Sequence, residues 1–334
     1  MDLKEAHAEV ASRLDRLDFG ALLPGFRRYR FALYDGSRVC LGGDCLPVDA
    51  RFLGNTAIEY EGRQIAIWRL AGPPENYDSL AALLAHEMCH AFQVETGAAF
   101  PDEMVGAFYP RNLVNSTGKY RENLLLAELL EEFDPGKWDS LLRLRSARLE
   151  AGPAAVGYEI KAEGIEGQAK FVELAALKLL SPGRYGEALA KTARNLRDTH
   201  GVFNTRLCCY DSGAAILTVA AANGLSAPDW TAEAAGEAGL TSGPDLSVEY
   251  RDYYQAVDAL VNGALAKAEK METCGSVLLG FDPYNVRSSG DNLYHPNFIM
   301  CGEKNADPAC LMGVYVTAMK GPTREIKTVY KVRP

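Results

Sequence analysis

The chain has 334 residues, room for one large domain or two ordinary ones, each with a sizeable core. Its 48% apolar and 24% charged residues, with 31 Gly and 16 Pro, are globular values that exclude a disordered or fibrous chain. A formal net charge of −9 repels phosphate backbones, so no nucleic acid is expected as a partner, and the short basic clusters Arg27/Arg28/Arg30 and Arg143/Arg145/Arg148 read as solvated strand or helix faces.

In chain order, residues 2 to 18 alternate charge with Leu, Val and Ala at helical period, which predicts an amphipathic helix with His7 exposed. No apolar signal-peptide core lies there, and the longest apolar run, Ala214 to Ala222, falls short of the roughly 20 residues that span a bilayer. The expectation is a cytoplasmic protein with no membrane partner. Its cysteines (Cys40, Cys45, Cys89, Cys208, Cys209, Cys274, Cys301 and Cys310) are then expected as reduced thiols. None forms a C-x-x-C pair, which speaks against a zinc ribbon.

Four runs rich in β-branched and aromatic residues follow: 28–34, 38–41, 52–60 and 64–70. The last two are joined by Glu61-Gly62 as a hairpin. Pro73-Pro74 breaks the chain, and a helix capped by Asp78 or Ser79 runs to about Glu95, stopped by Gly97. Helical patterns then cover 119–133, 138–150, 154–180, 184–200, 208–222 and 248–271. After Cys274, runs at 275–286, 297–302, 311–320 and 325–332 read as strands. The expected organisation is a helix and sheet over 1–75, a helical catalytic region over 76–272 and a small β module over 273–334, an α+β fold.

The first long helix contains His86-Glu87-Met88-Cys89-His90, an H-E-x-x-H. Residues i and i+4 stand one above the other on a helix, so both imidazoles can grip one ion while Glu87 reaches a water beside it. Only five histidines exist and two are here. Gln93 and Thr96 occupy the positions where an extended H-E-x-x-H-x-x-G-x-x-H would need Gly and His, which excludes that arrangement.

The chain resembles the gluzincins, zinc metallopeptidases in which a downstream Glu completes the H-E-x-x-H site. In many of them that Glu opens an E-G-x-A-x-aromatic-x-E helix, and residues 166–173 match it position by position. The resemblance implies a zincin-like fold, a Zn²⁺ cofactor, a peptide or protein substrate and Glu166 as third ligand. Glu163, one turn earlier, is the rival ligand or a hydrogen-bond partner of a ligating His; His200 or an Asp stands behind it. Gly167 would let two helices approach closely around the ion. Gluzincin aminopeptidases supply a Tyr from a Y-x-x-G helix; Tyr210-Asp211-Ser212-Gly213 follows in the same order, which implies Tyr210 as oxyanion donor. His200 and Arg206 alternatively bind substrate or hold charge.

Residues 56–60 (Thr-Ala-Ile-Glu-Tyr) keep only Ala and Glu of the amine-binding G-x-M-E-N strand of those aminopeptidases, so aminopeptidase activity is not implied; the strand can still pair with an extended peptide. The implied reaction is hydrolysis with Glu87 as general base. Two other readings stay open: hydrolysis of a non-peptide amide or ester, and a non-catalytic metal-binding interaction protein. Cys89 is expected in the core and Cys208/Cys209 as buried inert thiols. His295 is expected at the surface or satisfied in the core.

Overall fold

The computed structural model describes residues 2–228, 243–271, 275–303 and 308–333. Helix α1 (Leu3–Leu14), capped by Asp2, buries Leu3, Ala6, Val10 and Leu14 on one stripe, as its periodicity predicts. His7 lies on that buried side, against expectation: its ring stacks on Phe31 at 4.2 Å because the first sheet covers this face. A short α2 (Phe19–Leu22) leads into the sheet.

Strands β1 (Arg30–Tyr34), β2 (Arg38–Leu41), β3 (Asp44–Pro47), β4 (Thr56–Tyr60) and β5 (Arg63–Arg69) form a sheet in the order β3-β2-β1-β5-β4. β1 and β5 pair in parallel; the other pairs are antiparallel. The β4–β5 hairpin turns at Glu61 and Gly62, both with positive φ, the backbone such a tight turn needs. β4 is an edge strand. Residues 52–55, expected to belong to it, lie outside any strand, with a bend at 54–55. β3 has no apolar pattern to announce it; it exists because Cys45 pairs in register with Cys40, and the two are disulfide-bonded. This departs from the expected reduced thiols.

The helical region opens with α3 (Tyr77–Glu95), capped by Asn76 rather than Asp78 or Ser79 and followed by Gly97 at φ 71°. It packs under the sheet with α1 and shares one core with α8. Then come α4 (Glu103–Ala107), α5 (Leu113–Glu131), α6 (Pro135–Ala151), α7 (Pro153–Ala162), a π-helical turn (Glu163–Gly167), α8 (Gln168–Leu180), α9 (Pro182–Leu196), α10 (Thr205–Ala222) and α11 (Ser247–Ala266). The expected single helix over 154–180 is thus α7 and α8 joined through the π turn. No helix of the described residues is long and apolar enough to cross a membrane.

Helix α11 stops at Ala266, short of the expected Met271, because β6 (Ala268–Lys270) pairs with the last strand. The C-terminal module also holds β7 (Val277–Phe281), β8 (Arg287–Ser289), β9 (Asn292–His295), β10 (Phe298–Gly302), β11 (Ala309–Met312), β12 (Tyr315–Met319) and β13 (Ile326–Val332). They form sheets in the orders β11-β10-β7 and β6-β13-β12-β9-β8. β6 therefore joins this module from within the region read as helical, and the expected 272/273 boundary lies outside the described residues. Met104 and Ala107 of α4 bury into the module's core, tying it to the helices.

Candidate metal centre

His86 and His90 sit on successive turns of α3, where the helix is buried between α1, the sheet and α8. Opposite them, the π turn widens the helical path at Glu163–Gly167 and presents Glu166 to the histidines. Gly167 makes its close approach to α10 and not to the helix of the two histidines: Gly167 and Gly213 touch backbone to backbone, and a Cβ on Gly213 would stand 2.8 Å from the Cα of Gly167 and from the carbonyl of Glu163. This contact draws Tyr210, one turn earlier on α10, to the same side, where its ring stacks on His86 at 5.9 Å.

The imidazole proton of His90 is fixed by its neighbour. Gln93 directs its amide nitrogen at acceptors, Ile165 O at 2.9 Å, Gln168 Oε1 at 3.0 Å and Gly164 O at 3.3 Å. Its Oε1 must then accept, and His90 Nδ1–H donates to it at 2.9 Å. Glu173 Oε2 lies 3.3 Å from His86 Nδ1, a charge contact on the side of the ring away from His90, without hydrogen-bond geometry. The two Nε2 atoms face each other at 3.2 Å, and that of His90 is left as an acceptor. Glu166 Oε2 completes the cluster 3.4 Å from His90 Nε2; it is buried and has no hydrogen-bond partner.

The ligand atoms of His86, His90 and Glu166 all lie within 4.8 Å of one another. Facing ring nitrogens and an orphaned carboxylate oxygen converging in a buried place are left short of partners, and a positive charge among them would relieve this. Two imidazoles and one carboxylate are also a donor set that zinc takes with a position left open. The residues present therefore fit a divalent cation.

Glu87 is buried, and burial holds its pKa above the usual carboxylate value, with His86 and His90 pulling the other way. Burial also raises Glu166, but His90 beside it and then the charge of Arg206 prevail and bring it down to about 2. Burial, followed by the charge of Glu166, pushes the Tyr210 phenol well above its ordinary value, so it stays a proton donor; its hydroxyl lies 2.9 Å from that of Tyr284. Tyr284 comes from the loop between β7 and β8 and donates to Glu166 Oε1 at 3.1 Å. Arg206, in the first turn of α10, donates to the same oxygen at 2.6 Å. Neither Tyr284 nor Glu173 was expected at the site. Glu173 ends the E-G-x-A-x-aromatic-x-E pattern, a signal that could have found it; Tyr284 has no local signal.

Glu163 is neither a ligand nor a partner of a ligating His. It turns away to Lys119 (2.7 Å), Ser212 (2.6 Å) and Arg145 (2.7 Å). There the cations Lys119, Arg145 and Arg148 interleave with the carboxylates of Glu122, Glu159 and Glu163, all of them buried. Arg145 and Arg148 are thus core residues and not a solvated face: the acids on α5, α7 and the π turn neutralise them. His200 is exposed and outside the cluster. His295 is a core histidine: Nε2 lies 2.9 Å from Thr317 Oγ1, while Nδ1 is buried without a hydrogen-bond partner. Cys89 and Cys209 are buried free thiols; Cys208, also free, is half-buried.

Compared with known protein families, curated proteins and solved structures, the chain matches none.

Proposed function

We propose that this protein is a zinc-dependent hydrolase of the gluzincin type, a metallopeptidase acting on a peptide or protein substrate. The facing Nε2 atoms of His86 and His90, with the His90 proton held on Nδ1 by Gln93 and the unpartnered Glu166 Oε2 beside them, carry this reading. His86, His90 and Glu166 would hold the ion. Zinc supplies Lewis acidity when bound, acidifying water and drawing charge from a carbonyl oxygen.

The chain's own residues do the rest. Glu87, next to the first ligand and with its pKa raised by burial, accepts a proton from the attacking water and returns it to the leaving amine. Tyr210, kept protonated, donates to the oxygen that becomes negative. The free side of edge strand β4 offers main-chain hydrogen bonds to an extended substrate, which favours a peptide over another amide or ester.

A cytoplasmic setting fits this reading only if Cys40 and Cys45 are reduced there; as a paired disulfide they fit an oxidising compartment.

The test is metal content of the purified chain beside His86→Ala and Glu166→Ala, and peptide hydrolysis by Glu87→Gln. Expected are one zinc per wild-type chain, its loss in both ligand variants, and a fall of at least about 100-fold in turnover with zinc retained in Glu87→Gln. Equal zinc in all three chains refutes the ligand set; undiminished turnover in Glu87→Gln refutes the mechanism.

A further inference from the structure

Beside Glu166 lies a cavity of about 60 Å³ that the proposed hydrolysis does not use. Tyr158 and Phe203 wall it from the helical side, Tyr253 and Tyr254 from α11, with Arg206 and Arg287 among them. Among the described residues no aspartate or glutamate lines it. The first residues of the 18-residue helix α10 also face it, so the positive end of that helix's dipole adds to the two guanidinium charges.

Arg206 is short of partners. Its side chain is more than nine-tenths buried, yet Nε and Nη1 have no hydrogen-bond partner. The carboxylates that approach it, Glu166 at 2.6 Å and Glu103 at 3.2 Å, both do so at Nη2. Arg287 donates to the backbone carbonyls of Tyr284 at 3.1 Å and Val286 at 2.8 Å, and among the described residues no carboxylate pairs with it. Buried N–H groups left unmade are costly, and a guanidinium takes an anionic oxygen more strongly than a neutral one. The volume suits a few waters or one small carboxylate.

We propose that this cavity is a carboxylate-binding subsite, with Arg206 and Arg287 as the charge-bearing partners and the tyrosines as its aromatic walls. Because Arg206 also touches Glu166, an anion held here lies next to the proposed metal centre. The inference deepens the hydrolase reading by naming a substrate feature, an acidic side chain or terminal carboxylate; anion binding itself does not rest on that reading. The alternative source of the same chemistry is a free small anion.

The probe is acetate, titrated calorimetrically into the full chain at constant ionic strength, with uncharged acetamide as the matched control. Acetate is expected to bind saturably where acetamide does not, and to weaken by about tenfold or more in Arg287→Met and in Arg206→Met. Zinc per chain in Arg287→Met is expected to equal that of wild type, which separates this site from the metal ligands. A glutamate-containing peptide that displaces acetate, when its glutamine counterpart does not, assigns the subsite to substrate. Acetate binding without displacement by either peptide assigns it to a free anion. Acetate binding no tighter than acetamide in the wild-type chain overturns the proposal, whatever the variants do and whether or not zinc is bound.

Discussion

Gly167 and Gly213 meet without side chains between them, and this contact sets how near α10 comes to the π turn that carries Glu166. A methyl group on Gly213 would enter the space of the Glu163 carbonyl and the Gly167 Cα, both at 2.8 Å and both backbone atoms that cannot rotate away. Gly213→Ala is expected to lower unfolding free energy by about 1–3 kcal/mol in urea titration. Gly157→Ala, in α7 where a Cβ meets nothing within 4 Å, is the control, neutral or stabilising by up to about 1 kcal/mol. Equal effects at the two positions would show that the contact is not tight.

Gln93 decides which nitrogen of His90 is free. Replacing it with Leu removes the acceptor for Nδ1–H and leaves the proton to move to Nε2, where it opposes a cation. Zinc affinity measured by chelator competition is expected to fall about 10- to 100-fold, with the helical circular dichroism unchanged. An unaltered affinity would mean that the amide does not fix the tautomer.

Glu163 belongs to structure and not to the ion. Glu163→Gln leaves Arg145 and Lys119 short of a buried counter-charge and is expected to cost about 3–5 kcal/mol while the folded fraction keeps its zinc. Burial raises the carboxyls of Glu159 and Glu163, but the charges of Arg148 and Arg145 respectively, with Lys119, outweigh it and hold both below 4.5. The unfolded chain therefore protonates first. Their contribution is complete above about pH 4.5 and is lost as pH falls toward the folded values. The acid limb of urea stability below pH 4.5 should flatten in Glu163→Gln; zinc loss in the folded variant would return Glu163 to the ligand set.

What the chain declares in sequence is what lies on one helix. His86, Glu87 and His90 are legible because a four-residue spacing is a geometric statement, and Glu166 because residues 166–173 match the Glu helix of the gluzincins that the chain resembles, with Gly167 a costly residue in a helix. The burial of Arg145 and Arg148 was not legible: their periodic charge is the same whether the facing surface is water or the glutamates of α5, α7 and the π turn. Tyr284 reaches Glu166 across 118 positions of sequence, and no local pattern encodes such a contact. His7 was misjudged because periodicity marks a stripe but not its width, and Phe31 widens this one.

The Cys40–Cys45 bridge closes a short loop between β2 and β3, with Cα atoms 4.1 Å apart. Loop closure of this length is expected to contribute about 2 kcal/mol. Cys40→Ser/Cys45→Ser should lower the unfolding free energy from urea titration by that amount without changing zinc content. Alkylation of the denatured, unreduced protein should leave both cysteines unlabelled; labelling of both would restore the reduced-thiol reading.

His295 sets a separate acid window. Burial beneath Phe281 lowers its pKa to about 3, opposed only by the charge of Asp282, so it is neutral in the folded chain. The unfolded chain takes up this proton from about pH 6.5 downward, since that is the ordinary histidine value. Between about pH 6.5 and 3 the unfolded state thus binds more protons, and stability falls with pH. This loss begins two pH units before the buried carboxylates contribute, so the two effects are separable in one titration. His295→Gln keeps a donor near Thr317 but cannot be protonated, and its urea midpoint is expected to decline less between pH 6.5 and 4.5 than that of the wild type, the remaining slope including buried His7, whose pKa burial also lowers. Parallel decline in both proteins would place the acid sensitivity elsewhere.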